Sequence, residues 1–167
     1  MVASLRLTLG SHAAEFHACP DRGEAGGAIL ARIEVGHEVM GALFFKGDAL
    51  DAASLERAIE WTEDRIQAAT THLPVGARLY TSAADLHELA RVGGVSAGSR
   101  RELHVDAVEQ TFSRLVMQSM GQSSPQELLP ATARFYATVV FVRELMHHLH
   151  FPLITVLDEL EMEKGDP

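Results

Sequence analysis

The sequence predicts an α+β protein in which an N-terminal antiparallel sheet of three or four strands, with one packed helix, precedes a helical C-terminal half. Apolar residues alternate with a period of two in residues 1–47 and recur every three or four residues from Asp51 onward. Of the 167 residues, 47% are apolar and 22% are charged, which is enough to build one core. We therefore expect a single domain over residues 1–167, with the sheet and a long helix in 1–80 and a helical subregion in 81–167.

The strands are predicted from alternation and from turn residues. Leu5, Leu7 and Leu9 share one face of the first strand, and a loop rich in glycine at 20–27 precedes the third. A strand is also expected at 38–45, because Gly36 and His37 separate two apolar runs and a glycine suits a tight hairpin. The three or four strands expected in the first 47 residues are 5–9, 28–35 and 38–45, with 13–19 as the fourth, and residues 77–80 could return as one more strand under the long helix.

The helices are predicted from the apolar period of 3.6 and from capping residues. A long helix over 51–73 places its apolar side chains on one face and an acidic stripe on the other, formed by Glu56, Glu60, Glu63 and Asp64. That stripe is either a solvated helix face or a set of oxygen ligands for Mg²⁺. Later helices are expected at 82–92, at 99–120 after the capping box of Ser99 and Glu102, at 131–150, and at 153–160 after Pro152.

Charge and cysteine content restrict the class of protein. The net charge of -9 argues against a non-specific nucleic-acid binder and against binding to anionic membranes, because both need clustered Lys and Arg. No apolar run is long enough to span a membrane, and the N-terminus lacks a signal-peptide core. The single cysteine excludes a disulfide scaffold. We expect a cytoplasmic protein without a membrane partner and predict no cofactor, apart from the divalent metal considered below.

The leading functional hypothesis is a non-catalytic assembly or interaction protein that self-associates as a homodimer. The helix at 131–150 is apolar around most of its circumference, and the segment at 153–160 adds a further apolar face. Together these surfaces exceed what one small sheet covers, which is typical of an interface. The predicted dimer interface consists of Phe135, Val139, Val142, Met146 and Leu149.

An alternative hypothesis is a helix-turn-helix DNA-binding regulator at residues 82–104. Ala90 lies where the two helices of such a motif cross, and Gly94 lies at the turn. A glycine-rich loop before a helix explains the same residues, and Arg100 occupies a position that the motif normally fills with a buried apolar residue. The candidate anion or DNA contacts are Arg91, Ser99, Arg100 and Arg101.

A second alternative is a metal-dependent enzyme. Glu144 shares a helix face with His147 at i+3 and with His148 at i+4, so one carboxylate and two imidazoles could ligate a divalent metal. Histidines in the last turn of a helix also interact favourably with its C-terminal dipole, which explains the same residues without a metal. The sequence alone leaves both interpretations open.

Overall fold

The computed structural model describes residues 2–19 and 27–159, and in them a six-stranded mixed sheet is packed with five helices. The α+β class is confirmed, although the sheet has more strands than the sequence predicts. The strands are β1 (Ser4–Leu9), β2 (Ala14–Cys19), β3 (Ile29–Ile33), β4 (Arg78–Thr81), β5 (Arg100–His104) and β6 (Leu153–Leu157). The helices are α1 (His37–Phe44), α2 (Ala52–Ala69), α3 (Ala84–Val92), α4 (Val105–Ser119) and α5 (Ala133–His148).

The strand order is β3-β2-β1-β4-β6-β5. The first three strands form the predicted antiparallel meander, β4 pairs parallel to β1, β6 pairs parallel to β4, and β5 closes the far edge antiparallel to β6. After β1 the chain continues on one side of that strand, to β2 and β3. After β4 it continues on the other side, to β5 and β6. The carboxyl ends of β1 and β4 therefore lie side by side where the connections diverge.

Helix α5 lies at the centre of the helical layer and contacts α1, α2, α3 and α4. The Thr132 side chain caps it by accepting a hydrogen bond from the Phe135 N–H at 3.1 Å. Its all-round apolar character reflects burial within the chain itself. Four of the five predicted interface residues are at most 2% exposed, and the fifth is partly buried against the same core: Phe135, Val139, Val142, Met146 and Leu149. The prediction that these residues form a dimer interface is therefore wrong, because they belong to the core of the chain itself.

The predicted strand at 38–45 is helix α1. Gly36 packs against the β1–β2 turn, and the Glu38 N–H donates to the Ser11 carbonyl at 3.0 Å, so the chain starts a helix where a hairpin is expected. Met40 is buried on the inner face of this helix, whereas Leu43 is 53% exposed on the outer face. A short apolar run does not distinguish a helix from a strand by periodicity, which explains the error.

The two remaining corrections add strands to the sheet. Residues 100–104 form β5 instead of the start of a helix, so the capping box at Ser99 is absent and α4 begins at Val105. The predicted last helix is strand β6, whose Ile154, Thr155 and Val156 are buried by the packing on both faces of a central strand. Leu160 and most of the loop at 20–27 lie outside the described residues. No helix in the described part of the chain is long and apolar enough to cross a membrane.

Candidate functional site

A crevice opens at the carboxyl end of β1, whose last residue, Leu9, lines it, and beside helix α3, which follows β4 and contributes Asp85. In sheets with parallel strands, ligands bind where the connections of two neighbouring strands diverge to opposite sides. The crevice is shallow and open to solvent: its empty space is about 260 Å³ when the open part is counted, but the part that can take the centre of a water molecule is only about 20 Å³. A bound anionic group would therefore lie partly in solvent. The lining includes Gly10, Gly36, His37, Asp85, Thr138 and Phe141.

The backbone forms one wall of the crevice. The Gly10 N–H donates to the Ala13 carbonyl at 2.8 Å and closes the turn between β1 and β2. Gly36 packs so tightly on this turn that an added Cβ would lie 2.3 Å from the Ser11 carbonyl oxygen. This contact directs the start of α1, with His37, into the crevice. The first N–H groups of a helix lack intrahelical acceptors and carry partial positive charge, which favours an anion. At α1 the Glu38 N–H already donates to the Ser11 carbonyl, which leaves the His37 and Val39 N–H groups as candidates.

An ion pair forms part of the opposite wall. Asp85, 7% exposed, accepts hydrogen bonds from Arg134 Nε at 2.5 Å and from Arg134 Nη2 at 3.2 Å. Hydrogen bonding to Asp85 and its negative charge raise the pKa of Arg134. The Thr138 hydroxyl donates to the Arg134 carbonyl at 2.9 Å, which fixes the first turns of α5 beside the pair. Because the guanidinium neutralises the carboxylate, Asp85 does not repel an anion in the crevice.

A second polar region lies at the carboxyl end of α5. Arg143 donates from Nη1 to Glu144 Oε1 at 2.6 Å and from Nε to Glu109 Oε1 at 3.0 Å, and its guanidinium lies 4.7 Å from the centre of the Phe112 ring. His147 contacts the same Glu109 oxygen. Burial raises the pKa of Glu109, but the hydrogen bonds from His147 and Arg143 together lower it by a larger amount, so the pKa lies below its usual value.

The same end of α5 brings two of the three predicted metal ligands together and separates the third. His148 Nε2 lies 3.4 Å from Glu144 Oε2 and 3.6 Å from Glu63 Oε1, and the three ligand atoms all lie within 4.8 Å of one another. His147 instead binds Glu109 on α4. Glu63 belongs to the acidic stripe of α2, and no spacing along the chain connects it with residues 81 and 85 positions later. Only the packing of α2 on α5 forms this cluster.

The helix-turn-helix prediction is wrong, because its second helix is strand β5. Arg100 and Arg101 are consecutive residues of that strand and point to opposite faces, so they cannot project together from a recognition helix. Arg101 Nε donates to the Gly98 carbonyl at 3.2 Å within the preceding loop. Ser99 is bonded through its carbonyl to the Asp158 N–H at 2.9 Å, and Arg91 is exposed in the last turn of α3.

Neither a protein-family model nor a curated protein matches the sequence. Several solved structures share its fold. A Ppx/GppA enzyme of Aquifex aeolicus has a TM-score of 0.65 and 12% identity, over 93% of this chain and 53% of its own. An exopolyphosphatase-like protein has a TM-score of 0.65 and 10% identity, over 93% and 55%. An exopolyphosphatase from Cytophaga hutchinsonii has a TM-score of 0.62 and 13% identity, over 94% and 53%.

These similarities extend over nearly the whole chain, which itself spans about half the length of the structures that it matches. At 10–13% identity they demonstrate a shared fold. Two of the three matched structures are of enzymes and the other is of an enzyme-like protein, and this finding overturns the prediction of a non-catalytic assembly protein. The burial of the predicted interface within the chain removes the observation on which that prediction rested.

Proposed function

We propose that this chain carries the phosphate-binding crevice of a phosphatase that acts on phosphate esters or polyphosphate. The observation that carries the proposal is the crevice at the carboxyl end of β1, with Gly10, Gly36 and the start of α1 against it. Crevices at such positions bind ligands in related architectures, and helix N-termini bind phosphate. The similar solved structures, which are described as a Ppx/GppA enzyme and exopolyphosphatases, support this class of substrate.

Phosphoryl transfer depends mainly on positioning and on stabilising negative charge. We expect the His37 and Val39 N–H groups at the start of α1 to hold phosphoryl oxygens, because the Glu38 N–H donates to the Ser11 carbonyl. His37, which is partly buried in the lining, is the candidate to accept a proton from the attacking water or to donate one to the leaving-group oxygen. Arg134 holds Asp85 in a fixed orientation beside the bound group.

Phosphoanhydride hydrolysis commonly uses a divalent cation. Asp85 is the only carboxylate in the described lining, and Arg134 occupies both of its oxygens. The crevice residues of this chain therefore do not fit a cation site by themselves, and we assign no metal-dependent step to them. A divalent metal as cofactor of the reaction remains a prediction, to be tested by adding Mg²⁺ to the assay.

The test measures phosphate release from polyphosphate and from p-nitrophenyl phosphate by the purified chain, with and without Mg²⁺, and binding of inorganic phosphate by calorimetry. We expect phosphate release that falls at least ~100-fold in His37→Ala, the usual minimum contribution of a general acid or base. His72→Ala removes an exposed histidine beyond α2 and should leave the rate unchanged. Absence of both release and millimolar phosphate binding would refute the proposal.

The cytoplasmic location stays a proposal as well. Its support is the single cysteine, Cys19, which cannot form an intramolecular disulfide. Fractionation of cells that express the natural gene, followed by immunodetection, tests it; recovery of the protein outside the cytoplasm would contradict it.

A further inference from the structure

We propose that Glu63, Glu144 and His148 bind one transition-metal dication of the zinc class, which links helix α2 to helix α5. The cluster lies at the carboxyl end of α5, whereas the crevice is lined by residues near the amino end, Ala137, Thr138 and Phe141. The nearest residues of the two sites on this helix, Phe141 and Glu144, are separated by about 4.5 Å along the helix axis. The two sites share no residue, so metal binding can be measured separately from the proposed phosphatase activity.

The two distances from His148 fit metal ligation better than hydrogen bonding, and the two carboxylate ligand atoms lie within 4.8 Å of each other. A tetrahedral zinc ion with bonds of about 2.0–2.1 Å places its ligand atoms roughly 3.3–3.4 Å apart. His148 Nε2 is 3.4 Å from Glu144 Oε2 and 3.6 Å from Glu63 Oε1. Charge-assisted hydrogen bonds between nitrogen and a carboxylate are shorter, at about 2.7–2.9 Å. The imidazole thus lies at a ligand-to-ligand distance from two carboxylates that belong to different helices.

The neighbouring histidine provides an internal comparison. His147 and His148 occupy the same turn of α5, and each has a glutamate from another helix within reach. His147 makes a close hydrogen-bonded contact with Glu109, whereas His148 makes no hydrogen bond to either of its carboxylates. The backbone at this turn therefore permits close His–Glu contact, and the wider spacing belongs to the His148 cluster.

Burial and charge also favour a cation. The Glu144 side chain is 3% exposed; Arg143 binds its Oε1, and within the described residues Oε2 accepts no hydrogen bond. Oε2 is not one of the fully buried unpartnered atoms of the described residues, which are Arg6 Nε and Ser123 Oγ, so it is open enough to receive a metal ion. Arg143 pairs with Glu109 and Glu144, and Glu63 contacts His148, so these three carboxylates and one guanidinium carry two excess negative charges when the imidazoles are neutral. A dication cancels them.

The donor set indicates the class of metal. Imidazole suits zinc, copper, nickel and iron, whereas sites for Mg²⁺ and Ca²⁺ are built from oxygen. Three protein ligands leave a fourth position for water. Arg143 donates a hydrogen bond to the other oxygen of Glu144 and so fixes the orientation of this ligand. Hydrogen bonds of this kind to metal ligands increase metal affinity. Since the ligands come from α2 and α5, the ion would stabilise the packing of these helices.

The binding experiment uses the full chain without a histidine tag, dialysed against Zn²⁺ and then analysed for metal content and by calorimetry. We expect one tightly bound ion per chain and a rise in Tm of roughly 5–10 °C when free Zn²⁺ is 100 times the Kd. Mg²⁺ at the same concentration should give no shift. Co²⁺ should give the visible absorption of a four-coordinate site.

Three variants locate the ion. His148→Ala and Glu63→Gln should each lower the affinity at least ~10-fold and remove the Co²⁺ absorption. Both side chains are partly exposed, so the variants are expected to fold. His147→Ala is the matched control and should retain the ion. Weak binding by the wild-type chain, affinity undiminished in His148→Ala, or equal loss in His147→Ala would each overturn the site. Because the readouts are binding, Tm and absorption, they do not depend on phosphate release.

Discussion

The two ends of helix α5 lie in different surroundings. Near its amino end the helix faces the crevice with Ala137, Thr138 and Phe141, and one ion pair, between Arg134 and Asp85, is balanced. At its carboxyl end three carboxylates, one guanidinium and two imidazoles lie close together, and the carboxylates outnumber the guanidinium: Glu63, Glu109, Glu144, Arg143, His147 and His148. The structure around the amino end depends on close backbone contacts. The structure around the carboxyl end depends on interactions between charged side chains.

This difference affects how each region responds to substitution. A wall built from close backbone contacts tolerates no added atom, because packed interiors transmit a clash directly to the chain. Apart from the buried Glu144, the charges at the carboxyl end of α5 are partly exposed and screened by water, so single substitutions of them change stability little. We therefore expect the largest losses of stability beside the crevice and the smallest at the carboxyl end of α5.

Gly36→Ala should produce the largest effect. A Cβ at this position would lie 2.3 Å from the Ser11 carbonyl oxygen and 2.4 Å from the His12 nitrogen, so the β1–β2 turn or α1 must move. We expect a loss of about 3 kcal/mol in the free energy of unfolding, measured by urea denaturation. Gly98→Ala is the control, because its Cβ would meet the nearest atom at an ordinary 3.5 Å. Equal stability of the two variants would contradict the role of backbone packing at the crevice.

Asp85→Asn should have an intermediate effect. The substitution keeps the shape of a buried side chain but removes the charge that accepts two hydrogen bonds from Arg134. Hydrogen bonds to charged groups contribute about 1.5–3 kcal/mol, so we expect a loss near 2 kcal/mol in chemical denaturation. Glu56→Gln, on the exposed face of α2, should change stability little. Equal losses of stability in the two variants would mean that the Arg134–Asp85 pair does not stabilise the fold.

The sequence predicts those elements whose apolar period is sustained. Helix α2 and helix α5 follow the period of 3.6, and β1 follows strict alternation, so local pattern and tertiary packing agree. Prediction from the sequence fails at α1 and at β6, because their short apolar runs are compatible with a helix as well as with a strand. There the outcome depends on contacts distant in sequence: Gly36 against the β1–β2 turn, and β6 between β4 and β5.

The candidate sites divide in the same way. Glu144 and His148 are predictable because the i+4 spacing on a helix brings them together. Glu63 is not predictable as their partner, because only the packing of α2 on α5 supplies it. The crevice gives even less signal, since it depends on two glycines and on the order of strands in the sheet.

Glu109→Gln should give the smallest effect and tests whether charge holds the carboxyl end of α5. Burial raises the pKa of Glu109, but hydrogen bonds from His147 and Arg143 bring it below its usual value of 4.5. A carboxyl group with a lower pKa in the folded protein stabilises the fold above its unfolded pKa, and this contribution disappears as the pH falls through the folded pKa. The side chain is 35% exposed, so we expect a loss below about 1 kcal/mol at pH 7.

The pH dependence distinguishes this loss from a loss of packing. Urea denaturation of the wild type and of Glu109→Gln at pH 7 and at successively lower pH should give free energies that converge below pH 4.5, because protonation removes from the wild type what the substitution has already removed. Packing of the side chain does not depend on protonation in this way. A difference that stayed constant over the whole range would therefore mean that Glu109 acts by its shape, and the contrast between the two ends of α5 would fail.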